Sequence, residues 1–286
     1  MGISFQEVSH FYQGPTKKQR TVALKNIHLN IASSGEFIAL VGKTGSGKST
    51  LMQHMNALLL PSSGNVVIFG KTITPFKNKN PKLKEIRKKV GFVFQFPEYQ
   101  LFEETVLKDI MFAPKNFGFS EDEAKKRAEE VAKLLDIDAS LLEKSPFHLS
   151  GGQMRKVAIA GILAYDPQII LLDEPTRGLD PETAEQVMAL FYQIQQQYHK
   201  TVVLISHDMD IVYRYANRVV VMNENEIVYD GNKEKLFETG LYLKHHLRKP
   251  SVLDMIDFLN EKLGYDLDYH IVNEQELIER LVAYHE

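Results

Sequence analysis

The 286 residues are 44% hydrophobic and 25% charged, which supplies apolar material for one large or two modest domains and excludes a disordered chain. Lys+Arg at 34 against Asp+Glu at 37 leaves a net charge of -3, so no global field draws the chain to nucleic acid or to an anionic membrane. The absence of cysteine excludes disulfides, thiolate metal sites and cysteine nucleophiles. No apolar run approaches the roughly 18 residues of a membrane helix, so a soluble chain is expected, with any membrane role carried by partner subunits.

From Ile3 to Asn30, two runs of alternating apolar residues flank the polar loop Gly14-Pro15-Thr16-Lys17-Lys18-Gln19-Arg20, which predicts strand, turn, strand. "GEFIALVG" reads as a buried strand ending in glycine, Ser49 to Leu60 as a helix stopped at Pro61-Ser62-Ser63-Gly64, and "NVVIFG" as another strand. Residues 71–89 carry eight Lys/Arg with only Glu85 opposing them. Almost no aromatic is interleaved to stack bases, so this is read as a solvated loop and helix face and no nucleic-acid partner is expected.

"FQFPEYQLF", 94–102, is too apolar for an ordinary loop and too broken by Pro97 for a helix or central strand. Residues 120–142 read as a helix capped by Ser120, with acids in its first turn. "QIILLDEP" and "TVVLIS" are short apolar runs of the kind found in parallel strands buried on both faces, and a helical stretch, 181–199, separates them. The expected class is therefore α/β with a parallel sheet. After Gly240 the pattern becomes a short helical appendage, with Val252, Met255, Ile256, Leu259 and Leu263 on one face and Leu277, Ile278 and Leu281 on another. It is expected to dock on the core or on another subunit.

Three motifs carry the chemistry. "GKTGSGKST", from Gly42 through Lys43, Thr44, Gly45, Ser46, Gly47, Lys48 and Ser49 to Thr50, matches G-x-x-x-x-G-K-[ST] between an apolar strand and a helix. Its backbone N–H groups would wrap phosphates at a helix N-terminus, with Lys48 on the β- and γ-phosphates and Ser49 on Mg²⁺. "IILLDEP" then puts Asp173 at the end of a buried strand, suited to hold Mg²⁺ and its waters. Glu174 beside it is suited to act as general base; the bland alternative is that both acids merely end a strand. In "LSGGQ", Ser150, Gly151, Gly152 and Gln153 open a helix and form a second anion site. One ATP cannot satisfy both sites within one subunit if they lie on different subdomains.

With that signature, residues 3–240 resemble the ATP-binding cassette (ABC) family. The resemblance implies a phosphate-loop ATPase domain over 1–240 with a RecA-like core, an antiparallel β-subdomain and a helical subdomain at about 97–160. The helical extension of 241–286 would serve dimerisation. It further implies that two cassettes face each other head to tail, each nucleotide lying between one phosphate loop and the partner's signature. By the same resemblance, Gln95 contacts Mg²⁺ and the attacking water, and His207 in "LISHD" contacts the γ-phosphate. Asp180 in "GLDPE" crosses the dimer interface, and Tyr12 in "VSHFY" stacks on adenine. Alone, Tyr12 and His207 would be unremarked core or surface residues.

Absences select among cassette classes. About a hundred residues separate Lys48 from Ser150, with no heptad run for a chromosome-maintenance ATPase, and the chain holds one cassette where translation factors of this type usually hold two. "QHMNALL", "FQFPEYQLFEETV" and "LSGGQMRKVAIAGILA" are similar to segments of the ATPases of energy-coupling factor (ECF) transporters, importers of vitamins and transition-metal ions. The form "FPEYQLFEETVLKDI" is most like the second, A2, type. The implied partners are a second ABC ATPase, a transmembrane coupling subunit and a substrate-binding membrane subunit, at the cytoplasmic face of the cell membrane. A homodimeric cobalt or nickel importer ATPase and a soluble regulatory cassette are the alternatives. Pro97, Glu98, Tyr99, Gln100, Leu101 and Phe102 are expected to form the partner-binding segment. In this reading a surface helix begins near Tyr99, the apolar side chains Tyr99, Leu101 and Phe102 line a groove, and Glu98 or Gln100 orients the occupant. Arg177, in "PTRGLDP", stands where the family pattern suggests a small residue, beside the interface loop; it is expected to alter pairing without removing a catalytic group.

Overall fold

The computed structural model describes residues 1–14 and 19–285; Pro15 to Lys18 of the predicted turn lie outside the described residues. Strands β1 (Ile3–Gln13), β2 (Arg20–Ile31), β4 (Ser63–Ile68) and β5 (Lys71–Ile73) form an antiparallel sheet in the order β2-β1-β4-β5. The second sheet has six strands: β3 (Phe37–Gly42), β6 (Val90–Val93), β7 (Ile169–Asp173), β8 (Thr201–Ile205), β9 (Arg218–Asn223) and β10 (Glu226–Asn232). Their order is β10-β9-β3-β8-β7-β6, with all pairings parallel except β10 with β9.

The continuous apolar runs of the central strands follow from their being covered on both faces. Successive residues point to opposite sides, so Phe37, Ala39, Val41, Ile170, Leu172, Val202 and Leu204 enter one core, while Ile38, Leu40, Ile169, Leu171, Val203 and Ile205 enter the other. The second core is closed by α1 (Lys48–Met55) and the antiparallel sheet. The first is closed by α3 (Val106–Asn116), α4 (Glu121–Leu134), α5 (Gly151–Leu163), α6 (Pro181–Tyr198) and α7 (Met209–Tyr215). Of the basic stretch, Leu83–Lys89 forms α2, which buries only Ile86 and leaves the cations at its surface.

Two predicted helices are shorter than their apolar pattern. The helix expected over 49–60 ends at Met55, because Ala57 takes a left-handed φ of 54°. The one expected over 120–142 ends at Leu134, before Asp136 at φ 51°, although Ser120 caps its start as anticipated and adds a reciprocal capping box with Glu123. Neither stop uses glycine, so neither carries the usual sequence mark. Beyond α8 (Lys233–Glu238) and α9 (Leu241–Lys244), the tail forms α10 (Ser251–Leu263) and α11 (Glu274–His285). Val252, Leu253, Ile256, Ile271 and Leu277 dock on the first core, and Asp210 of α7 accepts hydrogen bonds from the Ser251 amide and hydroxyl. Met255, Leu263 and Ile278 of the two predicted apolar faces stay exposed. No helix among the described residues is long and apolar enough to cross a membrane.

Candidate nucleotide site

The phosphate loop joins β3 to α1, and its shape demands glycine at two points. A Cβ on Gly42, at φ 137°, would stand 2.0 Å from the Met222 carbonyl oxygen, and one on Gly47, at φ 99°, would stand 2.2 Å from that of Ala23. No rotamer change relieves a clash with backbone. Lys48 folds back into this loop, donating from Nζ to the carbonyls of Gly42 at 2.7 Å and Lys43 at 2.9 Å. Burial draws its ammonium below the usual lysine range, against the pull of Glu174 and Asp173. The Ser46 hydroxyl is buried in the same loop without a partner.

The strand end of β7 brings Asp173 to the loop, where its Oδ1 faces Ser49 Oγ at 3.5 Å. Burial raises its carboxyl above the ordinary range, against the opposing hydrogen bond from Ser49. Hard oxygen donors of this kind suit Mg²⁺, which keeps waters and substrate phosphates in its shell. No cluster of three metal-binding acids or histidines occurs among the described residues.

Glu174 follows at a left-handed φ of 49°, its amide bonded to the Ile205 carbonyl at 3.0 Å. Its carboxylate sits in a ring of donors. Gln95 Nε2 donates to Oε2 at 2.8 Å, Arg177 Nη1 donates to the same oxygen at 2.9 Å, and His207 Nε2 lies 3.1 Å from Oε1. Gln95, Glu174 and His207, far apart in sequence, are therefore neighbours. Arg177 was not anticipated in this cluster; its only sequence mark is its bulk where the family pattern suggests a small residue.

A cavity of about 320 Å³ runs over the loop from Tyr12, Val22 and Ala23 to Thr44, Lys48, Glu174 and His207. Tyr12 is half-exposed at its edge, its hydroxyl 3.2 Å from Thr50 Oγ1 and its ring met edge-on by His10 at 4.9 Å. A larger cavity of about 650 Å³ lies between α4 and α6, but its Lys200 and Arg127 are already matched by Asp166 and Glu130 and none of the motif residues lines it. The smaller cavity is the one with chemistry.

Ser150, Gly151, Gly152 and Gln153 do not line that cavity. They open α5 through a capping box: Gln153 N donates to Ser150 Oγ at 3.3 Å, and Ser150 N donates to Gln153 Oε1 at 3.0 Å. Asp180 caps α6, accepting from the Thr183 amide at 3.0 Å, which holds its carboxyl below the ordinary range.

The 94–102 segment departs from expectation. No helix begins near Tyr99; Pro97–Gln100 is a single 3-10 turn, Leu101 is extended, and α3 starts only at Val106. Asp109 of α3 accepts from the Phe102 and Glu103 amides, which fastens the chain in this shape. Leu101, at 8% exposure, belongs to the core and lines no groove, while Tyr99 at 84% and Phe102 at 55% stand out with Phe96 and Phe112. Glu98 is clasped by Arg155 in a two-pronged pair of 3.0 and 2.9 Å, with its carboxylate turned inward; Gln100 is exposed.

Comparison with known proteins matches this geometry to a family. The ABC transporter family model covers residues 24–177, a little over half of the chain. The chain belongs to the ABC transporter family. It is 48% identical to the energy-coupling factor transporter ATP-binding protein EcfA2 of Ligilactobacillus salivarius over 99% of this chain and 97% of that one. It is 45% identical to the protein of the same name from Staphylococcus epidermidis over 100% and 99% of the two chains. Among solved structures, it matches cbiO1 from Clostridium perfringens, described as part of the ABC transporter complex cbiONQ, with TM-score 0.71 and 36% identity over 89% of this chain and 98% of that one. A dimeric ATP-binding cassette in a post-hydrolysis state, bound to ADP and Pi, matches with TM-score 0.71 and 33% identity over 80% and 98%. Within the ABC family, the chain is an ATP-binding subunit of the energy-coupling factor type.

Proposed function

We propose that this subunit energises uptake of vitamins or transition-metal ions by binding and hydrolysing ATP against a second ATPase, at the cytoplasmic face of a membrane partner. The single observation that carries the chemistry is Glu174, one residue past Asp173, facing Gln95 and His207 at the rim of the cavity floored by Lys48. Tyr12 takes the adenine, the loop amides of 43–50 and Lys48 take the phosphates, and Gln95 orients a water. Glu174 removes the proton of that water as its oxygen bonds to the γ-phosphorus, and the bond from that phosphorus to the bridging β,γ-oxygen breaks to release ADP. Ser49, Asp173 and Gln95 would hold Mg²⁺, which supplies charge neutralisation on the phosphate oxygens.

The signature residues Ser150, Gly151, Gly152 and Gln153 are exposed or half-exposed at the start of α5, outside the cavity of their own loop, which supports their serving a paired subunit's nucleotide. The A2 designation of the relatives supports a non-identical pair. Two exposed aromatic pairs, Phe96 with Tyr99 and Phe102 with Phe112, are suited to receive a helix of the membrane subunit, in place of a groove that includes Leu101. Co-purification from membranes followed by mass spectrometry tests the assembly: a transmembrane subunit and a second ATPase are expected. Recovery of the chain alone, with hydrolysis stimulated by nucleic acid, would sink the reading.

A further inference from the structure

Glu174 is engaged by three neighbours, and one of them is a cation. Its Oε2 already receives Gln95 and Arg177 and its Oε1 faces His207, which leaves about one of the roughly four acceptor positions of the carboxylate for a water. A base that is to take a proton from water needs a lone pair open to that water. Arg177 is the dispensable one of the three, because the positioning of a water needs an amide and the γ-phosphate side needs the histidine, whereas a guanidinium only competes for the carboxylate.

The local chain explains how the contact arises and why it is easily undone. The Arg177 amide donates to the Glu174 carbonyl at 3.2 Å, closing a turn that folds the side chain back over its own neighbour. The backbone of that turn is anchored from below, since Arg155 Nη1 donates to the carbonyls of Pro175 at 3.3 Å and Arg177 at 3.1 Å. The Arg177 side chain is 62% exposed, so its guanidinium can leave while its backbone stays. Asp208 lines the same cavity of about 410 Å³ as Glu174 and Arg177, which gives the departing guanidinium a second carboxylate. Asp180, at the head of α6, follows in the same loop.

We propose that Arg177 is a positioning residue that restrains the base: it occupies Glu174 in the unpaired, nucleotide-free subunit and withdraws when the ATP-bound partner closes over the loop from Thr176 to Asp180. The inference rests on the reading of Glu174 as base. Steady-state hydrolysis by the full chain, alone and in the assembled transporter, is measured for wild type, Arg177→Ala, Arg177→Lys and Glu174→Gln. Arg177→Ala is expected to raise kcat of the chain alone by about two- to fivefold with KM unchanged, the factor lost on breaking one exposed ion pair. Arg177→Lys keeps a donor and is expected to stay near wild type. Glu174→Gln is expected to be inactive with or without Arg177.

An activity-independent readout is the side-chain ¹⁵N NMR signal of Arg177, assigned by its loss in Arg177→Ala; it should move on addition of ATP and the paired ATPase. An unchanged or lowered kcat in Arg177→Ala beside an inactive Glu174→Gln, or an unmoved NMR signal in the closed pair, overturns the restraint. An active Glu174→Gln overturns the assignment of the base instead, so the two failures are distinct.

Discussion

Two glutamates are each held by an arginine, and the two pairs differ in almost everything else. At the rim of the nucleotide cavity, Glu174 is met by Arg177, whose side chain lies 62% exposed; in the 97–100 turn, Glu98 is met through two prongs by Arg155, whose side chain is 4% exposed. An exposed pair is screened and worth about 0–1 kcal/mol, whereas breaking a buried one strands a charge at a cost of about 3–5 kcal/mol. The same chemistry therefore makes a release at one place and a rivet at the other. The rivet also ties the 97–100 turn to the backbone of the catalytic turn, because Arg155 holds the carbonyls of Pro175 and Arg177.

The sharpest way to separate the two is Glu174→Gln, which should lower turnover by about a hundredfold or more while ATP binding persists. Single-turnover hydrolysis and equilibrium nucleotide titration measure the two halves of that statement. Glu98→Ala should instead leave Arg155 unpaired in the core and cost about 3 kcal/mol of stability, read as a fall in urea midpoint. Arg177→Ala on the same assay should move the midpoint by about 1 kcal/mol or less; equal losses would break the comparison.

On the outer side of the turn, Tyr99→Ser with Phe102→Ser should uncouple transport in vesicles while sparing ATP binding by the free subunit. Leu101→Ser, at the core position between them, should act through stability, at about 2–5 kcal/mol for a buried leucine lost. Transport and hydrolysis that fall in step in the Tyr99–Phe102 variant would show that these aromatics are not a joint.

A smaller effect must be kept out of these stability measurements. His54, buried on α1 against His10 with its Nε2 unpartnered, is pushed by desolvation from the ordinary 6.5 to about 4. Above pH 6.5 it is neutral folded or unfolded and contributes no slope. As pH falls from 6.5 toward 4, the unfolded chain takes up a proton that the folded one refuses, so stability falls by at most about 1.4 kcal/mol per pH unit. Thermal melts at pH 7.5 and 5 should diverge for wild type and diverge less for His54→Gln, with His10, also lowered by burial, supplying part of what remains.

The sequence was informative wherever one local rule decided the outcome. The apolar runs around 37–42, 169–173 and 201–205 announced strands covered on both faces, and Ser120-x-x-Glu123 announced a helix start, because periodicity and capping are properties of neighbours in the chain. Glycines of the phosphate loop were legible for the same reason. The shortened helices, ending before left-handed Ala57 and Asp136, were not, since neither stop carries the glycine that usually marks a left-handed helix end.

Only the fold could decide which charges meet. Gln95 and His207 come from different stretches and converge on Glu174 because β6, β7 and β8 lie side by side in one parallel sheet, whereas Arg177 reaches it from three residues on in the same turn. Leu101 went inward and Tyr99 outward because Asp109 and Arg155 fixed the turn between them, and both partners are remote from it in sequence or lie on later helices. Composition and spacing thus determined the kind of site this protein has. The pairing of its arginines, which sets what is held and what is let go, depended on burial, a quantity no single position carries.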